Sequence, residues 1–255
     1  MKNHIYIQAR LCSKRLPNKV LKKILGKTIL ELMIERLYKV NNIDKIILTT
    51  GSKEENNELV NEAKRLKIDY YCGSEENILN RFYQASKKFN SDNIIRIMAD
   101  SPLIDFHLIN KGLEIFLTHD CDILSIDRKP SYPHGLNFQI FSRESLEKSW
   151  KDHFKNFNNI KKFENTFISP TIYMLEKKKF KNYDLVGLEN TSHLRLTLDY
   201  EEDFTVIKKI YEGLYPQKKF FALDDVLNFL KNNPDILDIN KKFHKESYSN
   251  IKIEK

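Results

Sequence analysis

The chain has 255 residues, 41% hydrophobic and 31% charged, enough apolar material for a sizeable core and too much for a disordered polymer. Its 43 basic and 35 acidic residues leave a net charge of +8, but the cations are scattered, with no basic stripe interleaved with aromatics, so no nucleic-acid partner is expected. No apolar run nears the ~20 residues of a bilayer span, the charged N-terminus is no signal peptide, and three cysteines without a CxxC spacing suit a reducing cytoplasm, with no membrane partner.

The first half alternates strand and helix. His4 to Gln8 reads as a buried strand, Ile29 to Val40 as a helix with an apolar stripe, and Lys45 to Thr50 as a strand stopped by Gly51. Glu54 to Lys67 is amphipathic, Ile68 to Cys72 is strand-like, and Ile78 to Phe89 is the next helix. Asn93 to Ala99 and Phe106 to Leu117 complete the series. Such alternation implies βαβ crossovers and a parallel sheet covered on both faces. After Cys121 the rhythm loosens: strands are expected at 121–127, 136–141, 171–175 and 194–198, and helices at 142–150, 201–211 and 224–231, with Ser142 as an N-cap. No linker divides the chain. The reading is a single α/β domain over 1–255, with a nucleotide-binding half at 1–120, an inserted α+β subregion at 121–195 and a C-terminal part at 196–255 whose last ten residues fray.

Open parallel sheets bind ligands at the carboxyl ends of their strands, and three such ends carry chemistry. The first strand runs into a loop with cations at Arg10, Lys14, Arg15 and Lys19, and with Ser13 between them. Arginine forks, a lysine charge and free backbone amides suit a triphosphate; a solvated basic loop is the plainer reading. Neither GxxxxGK[ST] nor GxGxxG is present. The second end is Ala99-Asp100-Ser101-Pro102, where Asp100 stands at the tip of an apolar strand, and Asp105 reads as a helix cap. The third is Arg195-Leu196-Thr197-Leu198-Asp199, ahead of an acidic helix start that the macrodipole alone would favour. Taken singly, Asp100 and Asp199 could each be a turn or helix cap.

Together, QARLCSKRLPNKVL, GSEENILNRF, MADSPLID and HLRLTLDYEEDF resemble the SpsF-type cytidylyltransferases of spore-coat polysaccharide synthesis, and more distantly the CMP-Kdo and acylneuraminate cytidylyltransferases. The resemblance runs from residue 4 to about residue 232. Cys12 and Asn18 replace glycines of the usual QARxGSxRLPGK pattern, and asparagine tolerates left-handed backbone angles. A frequent HVTPY segment stands here as Phe167-Ile168-Ser169-Pro170-Thr171, a departure on the acceptor side.

The resemblance implies a Rossmann-like nucleotidyltransferase fold of the GT-A type with a mostly parallel central sheet, using CTP and Mg²⁺. Arg10, Ser13, Arg15 and Lys19 would hold the triphosphate, while Ala9 and Ala99 would touch nucleotide. Gly73, Ser74 and Arg81 would frame the nucleoside, with a plain turn and an exposed helix residue as the alternatives for Gly73 and Arg81. Asp100 and Asp199 would share the metal, which prefers oxygen ligands. His134 and Arg195 are candidates for contacts with an anionic small-molecule acceptor, and no general base stands out. The expected reaction transfers CMP to an acidic sugar or a phosphorylated or phosphonate compound. Another nucleotide passed to a sugar 1-phosphate, or a silent nucleotide-binding module, are the competing readings. A homodimer is expected through 121–195, where Trp150, Phe154, Phe157, Phe163 and Phe167 cluster in sequence.

Overall fold

A computed structural model of the chain describes residues 1–157 and 159–246. The first half is built from β1 (Asn3–Gln8), a hairpin of β2 (Lys23–Ile24) and β3 (Lys27–Thr28), α1 (Ile29–Leu37), β4 (Lys45–Thr50), α2 (Asn57–Arg65), β5 (Asp69–Cys72), α3 (Ile78–Lys88), β6 (Asn93–Met98) and α4 (Phe106–Thr118). There follow β7 (Ile123–Ser125), β8 (Phe138–Ser142), α5 (Arg143–Phe154), α6 (Ile160–Glu164), α7 (Ile172–Glu176), β9 (Asn182–Asp184), α8 (Glu201–Leu214), α9 (Leu223–Asn232) and α10 (Asp235–Asp238).

Seven strands form one sheet in the order β5-β4-β1-β6-β8-β7-β9. The β5, β4, β1 and β6 pairings are parallel, β8 runs antiparallel to both β6 and β7, and β9 returns parallel to β7. Alternate residues of each central strand feed two cores. Ile5, Ile7, Leu48, Ile95 and Ile97 point into the larger one, shared with α1, α4 and α8. Tyr6, Ile47, Ile94 and Phe141 point into the other, against Leu79 and Phe82 of α3 and Leu146 of α5. Residues buried on both faces explain why these strands read as unbroken apolar runs. The α/β class and the mostly parallel sheet are as expected.

Helix starts follow the sequence signals. Ser142 caps α5, accepting from the Ser145 amide at 3.0 Å. Asp105 caps α4, accepting from Leu108 at 2.9 Å, while its other oxygen accepts from the Leu223 amide at 2.6 Å. The structure also departs from expectation. Where a strand was expected at 171–175, the helix α7 runs over Ile172–Glu176 with Thr171 as its N-cap residue, because a short apolar run does not reveal its period and, within the helix, Met174 alone needs full burial. Residues 194–198 are extended but belong to no strand. They cross the sheet end, pairing with His134 (2.9 and 2.7 Å) and with the Asp100 carbonyl (2.9 Å). Strand β9 and the β2–β3 hairpin, turned on Leu25 (φ 50) and Gly26 (φ 79), were not foreseen.

Four of the five aromatics assigned to a dimer contact belong to the protomer's own core. Trp150 stacks on Phe154 (4.9 Å between centroids) and on Tyr83 of α3 (4.6 Å), and Phe163 meets Trp150, Phe154 and Phe157 edge-on. Phe167 alone stays open, at 64% exposure. But for Glu246, the tail expected to fray lies outside the described residues. Among the described residues, no helix is long and apolar enough to cross a membrane.

The segment before α8 is held by a buried ion pair. Arg195 is 2% exposed and grips Asp203 with two donors, Nε to Oδ1 at 2.9 Å and Nη2 to Oδ2 at 2.8 Å. Asn240 donates to Asp203 Oδ1 (2.9 Å) and to the Arg195 carbonyl (3.1 Å), and Asp203 Oδ2 accepts from the Asp199 and Tyr200 amides at 3.0 and 3.1 Å. Removing one partner of such a pair strands a buried charge. Asp203→Ala should therefore lower stability by about 3–5 kcal/mol, measured by urea unfolding; a loss below about 1 kcal/mol, the range of exposed pairs, would refute this account.

Candidate active site

The carboxyl ends of β1 and β6 open into a cleft of about 1080 Å³. Its rim on one side is the loop after β1. That loop is fixed by backbone bonds: the Ala9 amide to the Thr49 carbonyl (3.1 Å), and the Ser13 and Asn18 amides back to the Leu11 carbonyl (2.8 and 3.4 Å). Asn56 Oδ1 accepts from the Leu11 amide at 3.0 Å. Asn18 takes φ 54 and ψ 22, a left-handed conformation that asparagine tolerates better than most residues, so it fits where it stands. Cys12 is exposed and has no left-handed backbone to accommodate.

Lys19 turns inward, its side chain 12% exposed, and lies between the two aspartates. Its Nζ is 2.8 Å from Asp199 Oδ1, 3.5 Å from Asp100 Oδ2 and 2.8 Å from the Leu198 carbonyl. Burial opposes its charge, but Asp100 and Asp199 outweigh burial and hold the ammonium above its usual range. Burial likewise opposes the Asp199 carboxylate, and Lys19 and Arg15 more than offset it, so its pKa lies below the usual value. Arg15 reaches Asp199 Oδ2 at 2.9 Å and lies over the Tyr200 ring at 5.0 Å. Neither aspartate is a cap. Asp203 caps α8 in place of Asp199, and Asp100 Oδ1 is buried without a hydrogen-bond partner. Both carboxylates line the cleft, brought there because the Asp100 carbonyl accepts from the Leu198 amide (2.9 Å) and from Thr197 Oγ1 (3.1 Å).

Other expected site residues fall in different places. Ala9, Arg10, Ser13, Ala99 and Arg81 line the cleft. Arg10 is 62% exposed, 3.9 Å from Glu75. Arg81 is no exposed helix residue: burial pulls its pKa down to about 10, and its Nη1 donates to the Ser74 carbonyl at 3.2 Å. Gly73 and Ser74 are not among the lining residues. The Gly73 amide donates to the Thr50 carbonyl at 3.1 Å, and the Ser74 hydroxyl donates to the Glu164 carbonyl at 2.5 Å. His134 is half-buried in the pairing with residues 194–196 and also lies off the cleft; burial, then Arg195, lowers its pKa. Arg195 lies behind the site, its guanidinium engaged by Asp203, which corrects the expectation that it contacts an acceptor.

Two cleft residues escaped the sequence reading. Glu75 folds over Gly51, where a Cβ would stand 1.3 Å from its Oε2, and both of its carboxylate oxygens are buried without a hydrogen-bond partner. Arg96 lies on β6 itself; a lone charge within Ile-Ile-Arg-Ile-Met was the signal. Among the described residues, no three His, Cys, Asp or Glu side chains gather as metal ligands.

Residues 5–220 match the family model described as cytidylyltransferase. An uncharacterized protein of Methanocaldococcus jannaschii is 36% identical over 249 residues, 96% of this chain and 97% of that one. The spore coat polysaccharide biosynthesis protein SpsF of Bacillus subtilis is 24% identical over 243 residues, 90% of this chain and 94% of its own length. The solved structure of a cytidylyltransferase from Leptospira borgpetersenii superposes with a TM-score of 0.82 at 27% identity, covering 93% of this chain and 97% of that one.

The approach of the two aspartates depends on Gly135. It holds φ +108, and a Cβ there would stand 2.3 Å from the Thr197 amide nitrogen and 2.5 Å from the Leu196 carbonyl. Both obstacles are backbone, so nothing can rotate aside. Gly135→Ala should cost on the order of 1–3 kcal/mol through strain alone, and it should push residues 196–199 away from Asp100. Urea unfolding checks the first effect and nucleotide affinity the second; wild-type values in both would sink the argument.

Proposed function

The chain belongs to the cytidylyltransferase family, CTP-dependent nucleotidyltransferases, and from that premise we propose that it transfers CMP from CTP to an anionic small-molecule acceptor, releasing pyrophosphate. The carrying observation is the pair Asp100 and Asp199 held on Lys19 beside the basic loop. Arg10, Ser13, Arg15 and Lys19 bind the triphosphate, where charge-assisted bonds and a fixed loop suit phosphate oxygens. Ala9 and Ala99, having small side chains, let backbone approach the nucleotide, and Arg81 with Glu75 bounds its nucleoside side.

Asp100 and Asp199 would hold a divalent cation, taken here to be Mg²⁺. The donor set fits: Asp100 Oδ1 is buried without a partner, and Mg²⁺ accepts one or two carboxylates with substrate phosphates and water completing its shell. When bound, the ion would neutralise charge on the phosphate oxygens. The acceptor oxygen forms a bond to the α-phosphorus as the bridging α–β bond breaks, its electron pair leaving with pyrophosphate. The protein's part is positioning and electrostatic stabilisation. Likeness to SpsF supports a product that feeds surface polysaccharide or glycoconjugate assembly. A homodimer through 121–195 is proposed on the exposed Ile160 and Phe167; a monomer mass in light scattering would count against it.

Incubation with each nucleoside triphosphate, Mg²⁺ and a panel of anionic acceptors, followed by pyrophosphate release and product mass, tests the assignment. CTP should be preferred, and equal use of all four would remove the cytidylyl reading. Asp100→Asn should lower turnover by orders of magnitude while leaving the fold intact. Arg15→Ala should weaken CTP binding by about 1.5–3 kcal/mol without altering base preference, since phosphate contacts carry no base information. Unchanged CTP affinity in that variant would remove the loop from the phosphate site.

A further inference from the structure

Arg96 stands in the middle of β6, on the face it shares with Ile94 and Met98. Ile94 is sealed in the core, Met98 lines the cleft, and Arg96 between them is 8% exposed. Its donors are held by neutral groups: Nε donates to Gln8 Oε1 at 2.9 Å, and Nη1 donates to Gln139 Oε1 at 2.6 Å and to Thr171 Oγ1 at 3.3 Å. Its Nη2 makes no hydrogen bond among the described residues, yet it is not sealed from solvent, since the guanidinium helps line the cleft. The balancing carboxylate is kept one residue away. Gln139 accepts from Arg96 with its oxygen and donates to Asp127 with its nitrogen, and Asn137 donates to the same carboxylate.

That arrangement differs from the closed pair of Arg195 and Asp203, where two donors meet two oxygens. A buried cation without a direct counterion is disfavoured, and burial draws the Arg96 pKa down to about 10. Packing alone would be served by another isoleucine, as at 94, 95 and 97. Phe167, Ser169 and Ile172 of the inserted subregion line the same cleft, and they flank Thr171, whose hydroxyl accepts from Arg96 Nη1. Arg96 lies two strand positions before Met98, about 7 Å farther from the aspartates by strand rise.

We propose that Arg96 recognises the charge of the acceptor, its open guanidinium edge gripping a carboxylate or phosphate-type oxoanion while the attacking oxygen lies toward Asp100. The assignment rests on the cytidylyltransferase reading for the identity of the ligand, and on Arg96's own geometry for the site. Neutral acceptors are rejected because they leave the buried cation unpaired.

The test titrates methylphosphonate, acetate and the neutral dimethyl methylphosphonate into protein saturated with α,β-methylene-CTP and Mg²⁺, so that the triphosphate site is filled. Wild type should bind an anionic probe and not the neutral ester; preference for acetate or for methylphosphonate supports the proposal and names the group. Arg96→Gln should weaken the anion at least tenfold with nucleotide affinity within twofold of wild type. Ile172→Glu, at the exposed mouth and outside the buried network, should weaken the anion likewise and covers a misfolded Arg96→Gln. Wild-type anion binding in both variants, or a parallel loss of nucleotide and anion in Arg96→Gln, would overturn it. Failure of the wild type to bind the CTP analogue would instead remove the cytidylyl reading, and Arg96→Gln against wild type in nucleotide-free protein would still decide the anion site.

Discussion

Two carboxylates brought face to face repel, and the cleft end of the sheet is organised around the ammonium that keeps Asp100 and Asp199 together. Lys19 ties three distant stretches to one point: the loop after β1, the turn after β6 and the segment ahead of α8. At 2.8 and 3.5 Å from Lys19, the carboxylates of Asp199 and Asp100 outweigh the burial that opposes its charge, whereas exposed pairs contribute little. That is why Lys19 is held above its usual pKa and Asp199 below, although burial acts against both charges. The charge balance of the cleft therefore exists before any ligand enters. An arriving polyanion meets exposed Arg10 and Arg15 at the rim first, and a compensated centre only further in.

Geometry behind the aspartates supplies what the ammonium alone could not. The Asp100 carbonyl accepts two bonds from residues 197 and 198, so the backbones are set before the side chains meet. Asp203 takes the capping duty that Asp199 would otherwise have, and Arg195 holds Asp203 in turn. One acidic helix start thus contains two carboxylates with different tasks. Asp203 is fully buried and saturated with donors, whereas Asp199 reaches forward to cations.

This division explains how much was legible in the sequence. The βαβ half could be read because its strands are buried on both faces and its helices carry an apolar stripe, signals that span many residues. Asp105 and Ser142 as caps were legible because capping is local. Residues 121–195 resist such reading: α6 and α7 have five residues each, too few to display a period. Arg195 looked like a ligand contact because a sequence shows a charge but not its burial, and Ser74 looked the same although its hydroxyl is spent on the Glu164 carbonyl. Arg96 was passed over for the opposite reason, as a single charge inside a strand that otherwise read as pure core.

The two walls of the cleft are built to different standards of rigidity, and that difference bears on what can vary. The wall that carries the loop after β1 hangs on strand ends at the middle of a parallel sheet, that loop closed by backbone bonds to Thr49 and Leu11. The opposite side, with Phe167, Ser169 and Ile172, is carried by segments around two short helices and is anchored mainly to α3. Asn77 donates to the Phe163 carbonyl at 2.6 Å, the Leu79 amide to the Ile168 carbonyl at 3.0 Å, and Ser74 to Glu164. Those anchors use main-chain carbonyls of residues 163–168, so they constrain the path of the wall without dictating its side chains. Substitutions at 167, 169 or 172 can therefore reshape the space offered to an acceptor while Lys19 and the two aspartates keep their positions. The segment in which this chain departs from the related HVTPY pattern belongs to that same wall, apart from Lys19, Asp100 and Asp199, so the departure bears on the side chains that line the cleft and not on the charges gathered at its centre.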